Sequence, residues 1–219
     1  EVDLRRLGMG ALLIDIGRVV LDDPALRLPG RLSNEDWALV RLHPQEGALA
    51  ILAATGPGEE IAAQIALEHH VRFDGGGYPD LGGRRPHLFS RRVAVADSYD
   101  AITSPRPHRP ARTPHEARQL LHRGEGEAFD PDLVEAFNRM MGVYPPGSLL
   151  RLGSGEVVMV TAGAGGRRGA MVVRDGSGEL LDVPEPVDFQ EQRVAADLLP
   201  DDVGIPPASL LEAAEAASS

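Results

Sequence analysis

The chain of 219 residues is 42% hydrophobic, 25% charged and 4% aromatic, with 25 Gly, 18 Pro and no Cys. These proportions suit a globular protein with one sizeable core, alone or with a small accessory domain, and the lack of Cys excludes a disulfide scaffold, a thiolate-bound zinc and a Cys nucleophile. All 22 basic residues are Arg, against 33 acids, and the formal net charge of -11 argues against a nucleic-acid polymer or an anionic membrane surface as partner.

Apolar positions at helical spacing from Leu4 through Leu7 and Ala11 to Ile14 or Asp15 predict a first helix within residues 4–20, ending near Gly17. A turn-rich connector follows over residues 22–30. Ser33 and Asp36 resemble a capping box opening a helix through Trp37, Val40 and Leu42. Pro44 interrupts that helix and starts the next. Residues 59–70 read as an amphipathic helix with Ile61, Ile65 and Leu67 on its apolar side and two histidines at its end. A glycine-rich loop from Asp74 to Pro86 precedes a helix over residues 91–103. Thr113-Pro114 with Glu116, and then Asp130-Pro131, are entry signals for two further helices, through His122 and Met141.

At Tyr144-Pro145-Pro146 the pattern changes to short apolar runs, 149–152, 157–161, 170–173 and 180–183, separated by glycine turns that read as hairpins. The expected fold is therefore mainly α over residues 1–144, with a small antiparallel β-barrel-like domain or meander over 145–195. A tail, residues 196–219, is expected to be helical or disordered. The longest strongly apolar stretch, around Ala48 to Ala54, falls far short of the roughly 18–20 residues of a membrane span, and no signal peptide is legible. Because the chain starts at Glu1 rather than Met and runs straight into a helical pattern, it is expected to be a fragment or a processed product.

Residues 84–123 hold nine Arg against three acids, a local excess suited to a small phosphorylated ligand. Asp15, His43, the adjacent His69-His70 and Asp97 are the side chains that look placed as metal ligands. Imidazole with carboxylate suits Mn, Fe, Zn or Ni, and a helical bundle could bring them together. His87, His115 and His122 read as surface residues, Trp37 and Phe73 as packing residues.

The strings Asp15-Ile16-Gly17-Arg18, His43-Pro44-x-x-Gly47, His69-His70-x-x-x-Asp74-Gly75-x-Gly77-Tyr78-Pro79 and Val95-Ala96-Asp97-x-Tyr99-Asp100-Ala101-Ile102-Thr103-Ser104-x-Arg106-Pro107-x-Arg109 together resemble the HD-GYP family. Its members are bacterial cyclic di-GMP phosphodiesterases within the HD metal-dependent phosphohydrolase superfamily. The resemblance runs from about residue 10 to 141. It implies an all-α core in which two or more ions activate water for attack on a phosphodiester. Asp15 would bridge the ions, His43, His69 and His70 would complete one ion's shell, and Asp97 would serve the other. Arg18 stands where the family usually has Lys, and its high pKa leaves it an electrostatic role toward the leaving oxygen. Arg106 and Arg109 match positions that hold the substrate's phosphates. The loop with Gly75, Gly77, Tyr78 and Pro79 is, in the family, also a docking surface for GGDEF-domain partners. A cytoplasmic location fits cyclic di-GMP signalling.

The pattern also breaks. Ile14 takes the place of the signature histidine, the family's other histidine for that ion lies upstream of this chain's start, Val71 replaces a usual Glu, and His108 replaces a usual Tyr. The expectation is one bound divalent ion (Fe, Mn, Zn or Ni) rather than two or more, and reduced or lost phosphodiesterase activity. The alternative is an inactive module that binds cyclic di-GMP or a GGDEF partner as an adaptor.

Overall fold

The structure is a computed structural model that describes residues 2–21, 33–55, 58–106, 109–162, 168–187 and 194–205. The connector at 22–30, His108 and residues 206–219 of the tail lie outside the described residues. The chain divides into two compact units, Glu1–Pro110 with Gln119–Phe137, and Ala111–Arg118 with Asn138–Ser219.

The first unit is helical. It contains α1 (Val2–Leu13), α2 (Ile16–Leu21), α3 (Asn34–Val40), α4 (His43–Thr55), α5 (Glu60–Glu68) and α6 (Leu88–Thr103), and it shares α7 (Pro114–Arg123) and α8 (Pro131–Met141) with the second unit. Ser33 caps α3 as its sequence signature predicts: its hydroxyl accepts from Asp36 N at 3.1 Å, and Asp36 Oδ2 takes the Ser33 N–H at 2.8 Å. α1, α2, α4 and α5 meet over Ala48, Ile51, Ala62, Ala63 and Ala66, with Met9, Leu13, Ile16 and Leu67 against them. Alanine-rich contacts let helices approach closely. A second cluster joins Val95 of α6 to Leu121 and Val134, flanked by Tyr99, Phe129 and Phe137.

The first predicted helix is two helices. The chain turns at Ile14 and Asp15 before α2 begins, because α2 must run close against α4. A Cβ on Gly17 would stand 1.9 Å from the His43 carbonyl oxygen and 2.6 Å from Gly47 N, so only a bare backbone fits at that crossing. The break leaves Asp15 on a turn, from which its side chain reaches the rings of His43 and His69.

The second unit carries β1 (Leu149–Leu152), β2 (Val157–Ala162), β3 (Arg168–Arg174), β4 (Leu180–Val187), β5 (Val194–Leu198) and α9 (Pro200–Val203). All pairings are antiparallel, in the order β4-β3-β2-β1-β5. The barrel-like expectation is corrected here: the sheet is open, its outer strands being β4 and β5. Each face has its own apolar cover. Leu149, Val157, Met159, Val173 and Leu198 pack with Val203 and Ile205, while Leu150, Leu152, Val158, Val160, Ala170 and Val172 pack with Tyr144. A sheet buried on both faces reads as continuous apolar runs, as in Val157-Val158-Met159-Val160, rather than as alternation. β5, which the sequence reading left within the boundary of domain and tail, pairs with β1.

Candidate metal centre

Four predicted ligands converge. Asp15 sits on the α1–α2 turn, His43 opens α4, and His69 and His70 follow the last turn of α5. One donor atom from each lies within 4.8 Å of all the others. Asp97, on α6, is not part of this group.

The hydrogen bonds fix the imidazole tautomers. His43 Nδ1 lies 2.6 Å from the Val40 carbonyl and His69 Nδ1 lies 2.7 Å from the Ala66 carbonyl. A carbonyl only accepts, so each Nδ1 carries the proton and each neutral ring turns a lone pair outward on Nε2. Those two Nε2 atoms are 3.2 Å apart, and Asp15 Oδ1 is 3.3 Å from His43 Nε2 and 3.8 Å from His69 Nε2. His70 Nε2 is buried without a hydrogen-bond partner. Burial, foremost, lowers the pKa of His43 and His69. His70 is pushed down to about 3 by burial, then by His69, His43 and Arg18. Lone pairs facing one another at these separations fit a cation between them, since ligands about 2.0–2.2 Å from an ion stand roughly 3–3.6 Å apart. Asp15 Oδ1 also lies 2.8 Å from Arg18 Nε. It forms no hydrogen bond of good geometry there, so the contact is coulombic and leaves the oxygen's lone pairs for an ion. The donor set therefore fits a divalent transition metal.

The Asp97 side of the site is different. Burial raises the Asp97 pKa, with Asp15 adding to the shift and Arg106 and Arg18 opposing it. Ile14 lines a cleft of about 410 Å³ beside Asp97, together with Leu7, Ala11, Val93 and Ala96. No imidazole is offered there among the described residues.

Glu68, which sequence reasoning passed over, holds the histidine pair against α6. It is 2% exposed, and its carboxylate accepts from His87 N at 2.7 Å, Ser90 Oγ at 2.8 Å and Gln64 Nε2 at 3.2 Å. An acid four residues after Gln64, on the side of α5 that buries Ile65, was the available signal. His87, read as a surface residue, is the N-cap of α6, its Nδ1 accepting from Phe89 N.

The loop after His70 folds back onto the centre. Gly77 has φ 83°, and a Cβ there would come 2.2 Å from the His70 carbonyl oxygen. Phe73 N and Asp74 N donate to the Ala128 and Glu127 carbonyls at 3.1 and 2.9 Å. Gly75 also lies at positive φ, and the Tyr78–Pro79 peptide is cis. The loop thereby sets the Tyr78 ring 4.6 Å from the His70 ring and 6.3 Å from that of His43. Tyr78 is thus part of the centre's wall, a placement its loop position in the sequence did not reveal. Arg106 and Arg109 exchange backbone hydrogen bonds, at 2.9 and 3.0 Å, and the Arg109 guanidinium donates to the Ala101 carbonyl.

A helical bundle that aims three histidines and an aspartate at one point defines a metal-binding α-domain. The HD domain family model matches residues 1–133, more than half of the sequence. The chain is 40% identical over 158 residues to a cyclic di-GMP phosphodiesterase of Pseudomonas aeruginosa, covering 72% of this chain and 38% of that protein. It is 38% identical over 140 residues to a cyclic di-GMP phosphodiesterase response regulator of Xanthomonas campestris, covering 64% and 37%. It is 33% identical over 124 residues to a 3'3'-cGAMP-specific phosphodiesterase of Vibrio cholerae, covering 56% and 24%. The chain belongs to the HD domain family, in its HD-GYP branch. It spans well under half the length of these curated relatives. HD domains bind divalent metals, in keeping with the cluster described. No helix among the described residues is long and apolar enough to cross a membrane.

Proposed function

We propose that this chain is a cyclic di-GMP phosphodiesterase module that works with one divalent ion, held by Asp15, His43, His69 and His70, and turns over slowly. The observation that carries the reading is the closure of four donors within 4.8 Å, against a cleft beside Asp97 where Ile14, apolar neighbours, Arg92 and Asp100 offer no imidazole. The relatives named as cyclic di-GMP phosphodiesterases supply the substrate class.

An ion bound there lowers the pKa of water and withdraws charge from a phosphoryl oxygen. The chain's own residues do the rest. The Val40 and Ala66 carbonyls keep His43 and His69 in the tautomer that presents Nε2. Arg18 stabilises negative charge on the leaving oxygen beside Asp15. Arg106 holds a phosphate with its guanidinium fork, with Arg109 paired to it through the backbone. Fe, Mn, Zn and Ni all suit this donor set.

The second reading is an adaptor that binds cyclic di-GMP, or a GGDEF-domain protein at the Gly75–Pro79 loop, without hydrolysis. Ile14 favours it, because recognition residues persist where a ligand is replaced by an aliphatic side chain. A chromatographic time course of cyclic di-GMP, run anaerobically with Fe(II) or Mn(II), separates the two. Loss of substrate in the wild type but not in Asp15→Ala supports the enzyme. No loss in a folded, metal-loaded chain supports the adaptor.

A further inference from the structure

Arg41 lies at the junction between α3 and α4, two residues before the ligand His43. Its backbone is fixed twice over: its N–H closes α3 on the Trp37 carbonyl at 3.1 Å, and the preceding carbonyl, that of Val40, takes His43 Nδ1 at 2.6 Å. From this anchored start the side chain reaches the Tyr78 ring, with its guanidinium carbon 5.5 Å from the ring centroid. The same ring lies 4.6 Å from that of His70. Arg41, Tyr78 and the ligand His70 thus form one connected row at the edge of the centre.

Among the described residues no acid pairs with Arg41, and its side chain makes no hydrogen bond. An aromatic face orients a guanidinium without consuming its N–H donors, so the fork is positioned yet open. By contrast, the Arg109 guanidinium already gives an N–H to the Ala101 carbonyl. Where Ile14 leaves the Asp97 side without an imidazole, a phosphodiester at the centre has positive charge to gain from Arg18 and Arg41.

We infer that Arg41 is a substrate-binding residue whose guanidinium engages a phosphoryl oxygen of the cyclic dinucleotide, held in place by the face of Tyr78. The inference rests on the reading that the chain binds a cyclic dinucleotide, and adds a contact made from the α3–α4 junction.

The test is calorimetric binding of a hydrolysis-resistant phosphorothioate analogue of cyclic di-GMP to the Mn(II)-loaded chain, for wild type, Arg41→Gln and Arg41→Lys. Losing one charge-assisted fork at a solvent-facing position weakens binding by roughly tenfold in Arg41→Gln, and by about threefold in Arg41→Lys, which keeps the charge but not the fork. Metal content and thermal midpoint stay at wild-type values. Affinity becomes less dependent on salt in Arg41→Gln, a change that a purely structural role would not produce. In any turnover assay KM rises while kcat holds. Binding by Arg41→Gln within twofold of wild type, with the same salt dependence, overturns the role of Arg41 alone. A wild-type chain that binds no analogue overturns the dinucleotide reading and this inference with it.

Discussion

Removing the Glu68 carboxylate strips acceptors from donors that have nowhere else to turn. Ser90 is fully buried and Glu68 is 2% exposed, so Glu68→Ala leaves the Ser90 hydroxyl, donating at 2.8 Å, and the His87 N–H, donating at 2.7 Å, without a partner. Each orphaned buried donor costs about 1–3 kcal/mol, so the expected loss for the two is roughly 2–6 kcal/mol. Glu68→Gln keeps one carbonyl oxygen for both donors and sets an amide against Gln64 Nε2 instead, for a cost of about 0.5–1.5 kcal/mol. Denaturant unfolding of the metal-free chain reads both values. Because His69 and His70 follow directly on Glu68, Glu68→Ala also weakens metal binding, measured by competition with a chelator, while Glu68→Gln largely retains it. An Ala variant as stable as wild type, or a Gln variant as damaged as Ala, refutes the reasoning.

Three further outcomes follow from the same site. Gly17→Ala drives a Cβ into the His43 carbonyl at 1.9 Å, and overpacking of backbone against backbone costs about 3 kcal/mol or more; unfolding and metal affinity both suffer, and wild-type metal affinity in the variant would contradict the α2–α4 crossing as the constraint. His43, His69 and His70 all have lowered pKa values, His70 going from 6.5 to about 3. Their neutral forms favour the fold fully above about pH 6.5, and that contribution is lost as pH falls toward the folded-state values. For His70, allowing for the solvent that reaches its ring, the loss is on the order of 2 kcal/mol; metal-free stability should drop between pH 7 and 4, and by less in His70→Gln. Ile14→His places an imidazole beside Asp15 and Asp97 and should raise both metal content and phosphodiesterase activity; unchanged metal content would show that more than this ligand is missing.

Much of the centre was legible in the chain itself. Histidine and aspartate at motif spacing picked out the four residues whose donor atoms converge, along with Asp97, which stands apart from them, because metal donors are few residue types and helix ends bring them into register. The Ser33 capping box was equally readable, being a local contact between neighbours. What escaped depends on distant partners. The break at Ile14–Asp15 is enforced by α4 crossing at Gly17, over which the apolar periodicity of residues 4–20 runs unchanged. Glu68 looked like an ordinary helical acid, since its partners His87 and Ser90 lie some twenty residues on. Tyr78 reached the centre only through the turn at Gly77. The open sheet was mistaken for barrel-like because runs such as Val157 to Val160 state that both faces are buried without stating what covers them.

The central claim, a complete four-donor site for one ion, is tested most directly by metal analysis of the chain after loading with Mn(II) and removal of excess. One equivalent per chain is expected in the wild type, retained in Asp97→Asn and lost in His43→Ala. Two equivalents in the wild type, or retention in His43→Ala, would contradict it.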